Sequence, residues 1–192
     1  MYEIPLSSQT SLWWDLGILV LVFGLVMAAE ALALRRGRRS RSMQVLLGLA
    51  LAGYLAVYAW LAFFYRTPFD TPQLLLTPFR SHAEAFSTDG GLHIVRLGLA
   101  RQILLNILVY MPLGILLPGL LPQRRSRFPV ALLCGFGLSL LTEVLQYVTR
   151  RGYCETDDLI HNTLGTLLGL GCYALGTLLL RRLIRPADPG KR

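Results

Sequence analysis

Five long apolar runs divide this sequence, and charged or proline-containing segments separate them. The runs hold 20 to 23 residues each and cover 12–34, 43–65, 102–121, 128–148 and 159–180. An α-helix needs about 20 predominantly apolar residues to cross the hydrocarbon core of a bilayer. The pattern therefore predicts an all-α, polytopic membrane bundle with five transmembrane helices.

The composition supports a membrane protein. The chain is 54% hydrophobic and 16% charged, whereas a soluble domain has about 25% charged residues. The sequence shows no internal repeat and no linker, so we expect a single membrane domain over residues 1–192. Its three cysteines, Cys134, Cys154 and Cys172, lack the spacing of a metal site. We therefore predict no metal and no cofactor.

The basic residues predict an orientation in the membrane. If the segment 35–41 is cytoplasmic, then 124–127 and 181–192 are too, and these segments hold 13 of the 19 Lys and Arg residues. The positive-inside rule then places the N-terminus outside and the C-terminus inside. The net charge of +8 is thus explained by topology, and we expect no nucleic-acid partner.

Polar side chains gather near the predicted outer ends of three spans. They are Asn106, Glu143, Gln146 and Asn162. A charged side chain at the centre of a span costs about 2.5–3.5 kcal/mol and needs a partner. We therefore expect an ion pair between Glu143 and an arginine. The basic residues on this side are Arg66, Arg80, Arg96, Arg101, Arg150 and Arg151.

The stretch 143–169 concentrates this polarity around one predicted helix–loop–helix. Glu143, Gln146 and Arg150 are spaced to share one face of the fourth helix. Asp158 and Asn162 share a face of the fifth helix with Gly165 and Gly169. Because helices joined by a short loop are antiparallel neighbours, we expect the two polar faces to meet. The two glycines form a small-xxx-small pattern, which predicts close helix packing.

Prolines and glycines shape the segment before and within the third span. We expect 66–101 to be one long loop, with an interfacial lead-in helix at 92–101. Pro112 removes a helical hydrogen bond, which predicts a kink. Pro118 and Pro122 are expected to end this helix.

These polar residues lie in motifs that resemble the VanZ family of bacterial membrane proteins. The similar pieces are LLLTPFR at 74–80, NILVYMPLGILLP at 106–118, EVLQY at 143–147, Arg150, and DDLIHNTLGTLLG at 157–169. The resemblance covers about residues 66–180. It implies a multi-pass protein of the bacterial cytoplasmic membrane that is linked to teicoplanin resistance. It implies no chemical mechanism.

The polar cluster supports more than one hypothesis. The first is an outer-leaflet pocket that recognises an anionic lipid or a lipid-linked cell-wall precursor. The second is a membrane enzyme in which Glu143, Asp157 and Asp158 are the catalytic candidates, the two aspartates holding a hard cation. A scaffold protein and a purely structural polar clasp remain alternatives. The ligand-binding candidates are Arg80, Arg101, Asn106, Glu143, Gln146, Arg150, Asp158 and Asn162.

Overall fold

Five membrane-length helices dominate the fold. A computed structural model describes residues 7–64, 66–86, 93–122 and 125–184. Five helices there are long and apolar enough to cross a membrane, with mean hydropathies from 1.6 to 2.4. The predicted all-α architecture with five spans is therefore confirmed, and the orientation of the termini stays a prediction. The spans are Leu16–Arg36, Arg41–Phe64, Val95–Leu120, Arg127–Thr149 and Thr156–Leu183.

The described elements include one short helix and two short strands besides the spans. A π-helical turn, Trp60–Phe64, continues the second helix. In chain order the elements are α1 (Ser7–Arg36), α2 (Arg41–Ala59), β1 (Gln73–Leu75), α3 (Arg80–Phe86), α4 (His93–Leu120), α5 (Arg127–Thr149), β2 (Tyr153–Glu155) and α6 (Thr156–Leu183).

Helix α4 differs from its prediction at both ends. The expected lead-in helix at 92–101 is not separate, because α4 runs without a break from His93 to Leu120. The expectation that Pro118 ends the helix was wrong, since Pro112 and Pro118 both lie inside it. A membrane helix tolerates the lost hydrogen bond of a proline when neighbouring helices cover the freed backbone. Pro122 does follow the helix end.

Helices α4 and α6 form the most extensive contact of the bundle. A Cβ atom added to Gly165 would lie 2.2 Å from the carbonyl oxygen of Ile107, and one added to Gly169 would lie 2.2 Å from that of Met111. The two backbones therefore touch at successive turns, which only glycine permits. The predicted close packing of Gly165 and Gly169 is confirmed, and the helix they contact is α4.

The bundle has a different chemistry at each end. We call the end with the α5–α6 connection, residues 150–155, the polar end. We call the end with the α1–α2 connection, residues 37–40, the basic end. An apolar core lies between α1, α2, α4 and α6, and its buried residues are Val22, Val26, Ala29, Leu47, Ile115, Leu116 and Tyr173.

A short parallel sheet ties the segment after α2 to the polar end. Strand β1 pairs with β2, and Leu74 lies opposite Cys154. The amide of Phe69 donates to the carbonyl oxygen of Arg150 at 2.7 Å. The segment expected to be one long loop is thus held against the α5–α6 connection. Helix α3 follows β1 in this segment and therefore also lies at the polar end.

Candidate functional site

Glu143 is buried in the last turns of α5 and bonds to the backbone of β2. Its side chain is on the face that packs inward, and the residue is 4% exposed. Its Oε2 atom accepts a hydrogen bond of 2.8 Å from the amide of Glu155. The ion pairs found among the described residues are Glu30–Arg39 and Arg80–Glu84. The predicted pair between Glu143 and an arginine is therefore replaced by a backbone hydrogen bond.

Amide side chains join the three helices that enclose the site. Asn106 of α4 donates to the Asp158 carboxylate at 2.5 Å. Asn162 of α6 donates to the hydroxyl of Ser139 on α5 at 3.0 Å. These bonds connect α4 to α6 and α6 to α5 at the same level of the bundle. The polar faces of α5 and α6 therefore meet. Helix α4 joins them through the side chain of Asn106.

Two adjoining cavities lie at the polar end. The larger has a volume of about 760 Å³, and the smaller has about 120 Å³. They share a wall that includes Arg66, Asn106 and Asp158. The smaller cavity reaches inward to Glu143, Gln146 and Asn162. The structure thus brings five predicted site residues to one cavity: Asn106, Glu143, Gln146, Asp158 and Asn162.

Arg66 belongs to this site although it was not among the predicted ligand-binding residues. It lines both cavities. A Cβ atom on Gly152 would lie 2.8 Å from its Nη1 atom and 3.1 Å from Cδ of Gln146. The guanidinium therefore reaches across the α5–α6 connection toward Gln146. The signal in the sequence was an arginine directly after the second span, on the side that the positive-inside rule disfavours.

The three predicted arginines occupy different places. Arg80 and Arg101 line the larger cavity. The Arg80 side chain is 48% exposed and bonds to Glu84 at 2.6 Å, and this contact raises its pKa. Arg150 lies outside both cavities and donates to the carbonyl oxygen of Asp70 at 3.1 Å. The structure therefore brings two of the three to the larger cavity.

Arg150 also departs from the predicted helical face. Helix α5 ends at Thr149, and Arg150 is its C-cap, in the left-handed conformation with φ 59°. The chain reverses here, so the side chain no longer follows the face of Glu143 and Gln146. The prediction that Arg150 shares a helical face with Glu143 and Gln146 was therefore wrong. Its role in ligand binding stays a prediction.

Asp157 positions helix α3 at the mouth of the larger cavity. One carboxylate oxygen accepts from the amide of Phe79 at 2.5 Å. The other accepts from the amide and the hydroxyl of Ser81, at 2.8 and 2.5 Å. Phe79 has a φ of 59°, a strained conformation for an aromatic residue. The carboxylate of Asp157 therefore holds the start of α3 in place.

The carboxyl groups of Asp157 and Asp158 are bonded to hydrogen-bond donors and are not clustered as metal ligands. Among the residues that the structure describes, no group of three or more His, Cys, Asp and Glu side chains is arranged to hold a metal ion. Asp157 accepts from three donors, whereas Asp158 lines both cavities and accepts from the side-chain amides of Asn106 and Gln102. The two adjacent aspartates thus serve different partners.

Burial alters the acid–base behaviour of the α5–α6 connection. It raises the pKa of Glu155 to about 7, and the nearby carboxyls of Asp158 and Asp157 act in the same direction. Burial also raises the pKa of the Cys154 thiol, with a smaller contribution from Glu143. The cavity wall therefore holds a carboxyl group that changes charge near neutral pH.

Hydroxyl groups missed by sequence reasoning line the deep side of the smaller cavity. Tyr58 of α2 and Tyr110 of α4 bond through their hydroxyls at 2.7 Å. Tyr58 also donates to Thr142 of α5 at 2.8 Å. The side-chain oxygen of Gln146, which is buried, has no hydrogen-bond partner in the described part of the chain. The cavity thus offers an unused acceptor beside a fixed hydroxyl network.

Comparison with known proteins identifies relatives of this chain. The sequence model of the VanZ/LLP1 family matches residues 45–180. The chain is 29% identical to Protein VanZ of Enterococcus faecium over 131 residues, which are 65% of this chain and 71% of that protein. No solved structure matches the chain significantly. The matched region starts before the 66–180 resemblance and includes most of the second span.

Proposed function

This chain belongs to the VanZ/LLP1 family, and we propose that it binds the phosphorylated headgroup of a membrane lipid at its polar end. It is a multi-pass membrane protein with five candidate spans. The lipid-linked precursors of the cell wall are ligands of the proposed kind, because they carry a phosphate next to polar groups. Binding of such a precursor at the polar end would connect the chain to teicoplanin susceptibility, as the family resemblance implies.

The adjoining cavities are the observation that supports this proposal. Arg66, Arg80 and Arg101 line the larger one, and a guanidinium offers two parallel donors to a phosphate. The inner surface presents acceptors, including the unpaired oxygen of Gln146. Apolar side chains such as Leu61 and Leu105 line both cavities, and an isoprenoid or acyl chain packs against such surfaces.

The balance of charged residues around the two cavities narrows the chemical class of the ligand further. The larger cavity is lined by three arginines and four acids, and Glu143 adds a carboxyl group in the smaller one. A bare phosphate would be repelled by this many carboxylates. A headgroup with a phosphate for the arginines and hydroxyl or ammonium donors for Asp158, Glu143 and Gln146 would satisfy both. We therefore favour a sugar- or amine-bearing lipid phosphate over a simple anion.

Lipid retention by matched arginine variants tests the proposal. Arg101 and Arg96 lie on the same helix, and Arg101 lines the larger cavity, whereas Arg96 donates to the carbonyl oxygen of Ala85 at 3.2 Å. We would titrate purified protein with a polyprenyl diphosphate sugar and with the matching polyprenol, by native mass spectrometry. Binding of the phosphorylated lipid should weaken at least tenfold in Arg101→Gln and in Arg66→Gln. Arg96→Gln should retain it.

Two results would contradict this function. Equal binding of the phosphorylated lipid and the polyprenol would show that the headgroup is not recognised. Equal loss in Arg96→Gln and Arg101→Gln would show that binding depends on general surface charge, or on the contact that Arg96 makes with α3, and not on the arginine in the cavity. Arg150→Ala, measured beside them, decides whether Arg150 contributes despite its position outside the cavities.

A lipid-modifying enzyme is a second candidate, because Glu143 and Asp158 line the same cavity. Paired carboxyl groups in one cavity are suited to general acid and base steps. Under this hypothesis, Glu143→Gln would abolish conversion of the polyprenyl diphosphate sugar while the lipid still binds. Unchanged lipid after prolonged incubation with the wild-type protein, with and without Mg²⁺, would reject the enzyme and leave the binding proposal intact.

A further inference from the structure

A separate cavity of about 480 Å³ lies at the basic end, on the far side of the apolar core. It is formed where α1, the α1–α2 connection, the start of α2, the residues that follow α4, the start of α5 and α6 meet. Four arginines line it, and Glu30 is the one acid among the described residues around it. The arginines are Arg38, Arg39, Arg127 and Arg181.

Arg39 and Glu30 form the fixed base of this cavity. Arg39 pairs with Glu30 and also donates to the carbonyl oxygens of Gly119 and Leu121, where α4 ends. The last carbonyls of a helix lack partners within the helix and carry partial negative charge, so a guanidinium stabilises them. The charge of Glu30 is therefore already neutralised, and the remaining arginines give the cavity a positive surplus.

Arg127 is held in place before any ligand arrives. Its guanidinium lies 5.3 Å from the ring centroid of Tyr173 and 4.9 Å from that of Phe128, and it donates to the Tyr173 hydroxyl at 3.3 Å. The same hydroxyl donates to Glu30 at 2.8 Å. A guanidinium fixed in this way loses little conformational entropy when it binds an anion.

We propose that this cavity is a second binding site, and that it takes a phosphate group between Arg38, Arg127 and Arg181. The positive-inside rule requires basic residues near this end of the spans. It does not require a cavity, nor a guanidinium that rings and a tyrosine hydroxyl hold at its wall. The phosphate belongs either to an anionic lipid of the adjacent leaflet or to a soluble phosphorylated compound, since both present the same oxygens to the arginines.

Two double variants with equal charge test the site. Arg38 and Arg181 line the cavity. Arg35, three residues before Arg38 at the end of α1, and Arg182, next to Arg181 in α6, do not line it. Arg38→Gln with Arg181→Gln is therefore matched by Arg35→Gln with Arg182→Gln. Both proteins lose the same charge from the same end of the bundle, and circular dichroism checks that both keep their helices.

Each double variant would be measured against two sources of phosphate. In one arm, inorganic phosphate is titrated calorimetrically into the detergent-solubilised protein. In the other, the protein is taken from nanodiscs of equal phosphatidylglycerol and phosphatidylcholine, and the retained lipid is counted by native mass spectrometry. Wild type and the Arg35/Arg182 control should bind in at least one arm, and the Arg38/Arg181 variant should bind at least tenfold more weakly there.

The outcomes separate the sources and the alternatives. Selective retention of phosphatidylglycerol identifies a lipid, and a response to inorganic phosphate alone identifies a soluble ligand. Equal losses in the two double variants would overturn the site and leave only general surface charge. No binding by wild type in either arm would overturn it as well. The polar-end arginine variants do not alter this cavity, so the two proposed sites fail independently.

Discussion

At the scale of single residues, adjacent side chains in this protein have divided roles. Asp157 accepts three hydrogen bonds from Phe79 and Ser81, whereas Asp158 bonds to Asn106 and faces the cavities. A helix turns 100° per residue, so neighbours in sequence point in different directions. The first aspartate fixes the mouth of the larger cavity, and the second lines both cavities.

Replacing Asp157 should loosen α3 without disturbing the bundle. Asp157→Asn leaves an amide group facing one of its donors, and an unsatisfied buried donor costs about 1–3 kcal/mol. Backbone amides of 79–86 should then exchange with deuterium about tenfold faster or more, while those of α5 stay protected. Asp70→Asn, on the exposed segment before β1, is the control. Unchanged exchange at 79–86 would show that other contacts hold α3.

The raised pKa of the Glu155 carboxyl group predicts that the stability of the protein changes with pH. Burial raises its pKa from the ordinary 4.5 to about 7, so the folded protein binds more protons than the unfolded chain between these values. Its contribution to stability is full below about pH 4.5 and is lost as pH rises through about 7. The melting temperature of wild type should therefore fall from pH 5 to pH 7.5 more than that of Glu155→Gln. Parallel curves would contradict this assignment.

Sequence reasoning found the buried residues of the site better than its entrance. Helical periodicity placed Glu143, Gln146 and Asn162 correctly, because a polar residue inside an apolar run has few alternatives to facing the bundle. Arg66 was missed as a site residue because its place depends on Gly152 and on the strand pairing that folds 66–86 onto the polar end. Those contacts join segments about 80 residues apart and leave no periodic signal.

At the scale of elements, α4 is the central helix of the bundle and contacts all the other described α-helices. The sequence paired α6 with α5, its neighbour along the chain, whereas α6 makes its most extensive contact with α4. Gly114 completes that contact, since a Cβ atom there would lie 2.1 Å from the carbonyl oxygen of Thr166. Glycines in two helices predicted that some pair of helices touches closely. They did not specify which pair, because any backbone can fill the space that glycine leaves.

Two glycines of α6 provide a matched test of this contact. A Cβ atom on Gly165 would lie 2.2 Å from the Ile107 carbonyl oxygen, whereas Gly171 has nothing within 4 Å. Gly165→Ala should destabilise the protein, since overpacking costs about 1–3 kcal/mol and the backbone cannot move aside. Gly171→Ala should be neutral or stabilising because alanine favours helix. Thermal unfolding in detergent measures both, and equal melting temperatures would refute the close contact.

At the scale of the whole molecule, the two ends of the bundle differ in charge balance: among the described residues, three arginines and four acids line the larger cavity of the polar end, and four arginines and one acid line the cavity of the basic end. Hydrogen-bonded amides, hydroxyls and carboxyls occupy the polar end, whereas arginines dominate the lining of the cavity at the basic end. The alternation of spans along the chain was predictable from run lengths alone. The three cavities were not, because each depends on how several elements meet in space.

The orientation of the bundle can be checked with fusions at the C-terminus. Thirteen of the 19 Lys and Arg residues lie in segments assigned to one side, so we expect that side to be cytoplasmic. A C-terminal green fluorescent protein should fluoresce, and a C-terminal alkaline phosphatase should be inactive. The reverse pattern would place the polar end in the cytoplasm and would exclude an outer-leaflet ligand.

The pairing of β1 with β2 has a consequence for biosynthesis. β1 and Arg66 leave the ribosome long before β2 and α6, which follow about 80 residues later. Until the last helix inserts, Asn106 lacks the aspartate that it contacts in the finished protein, and β1 has no strand to pair with. The polar end is therefore completed only after α6 has been synthesised and inserted, and a chain that stops before α6 would expose Asn106 and β1 without their partners.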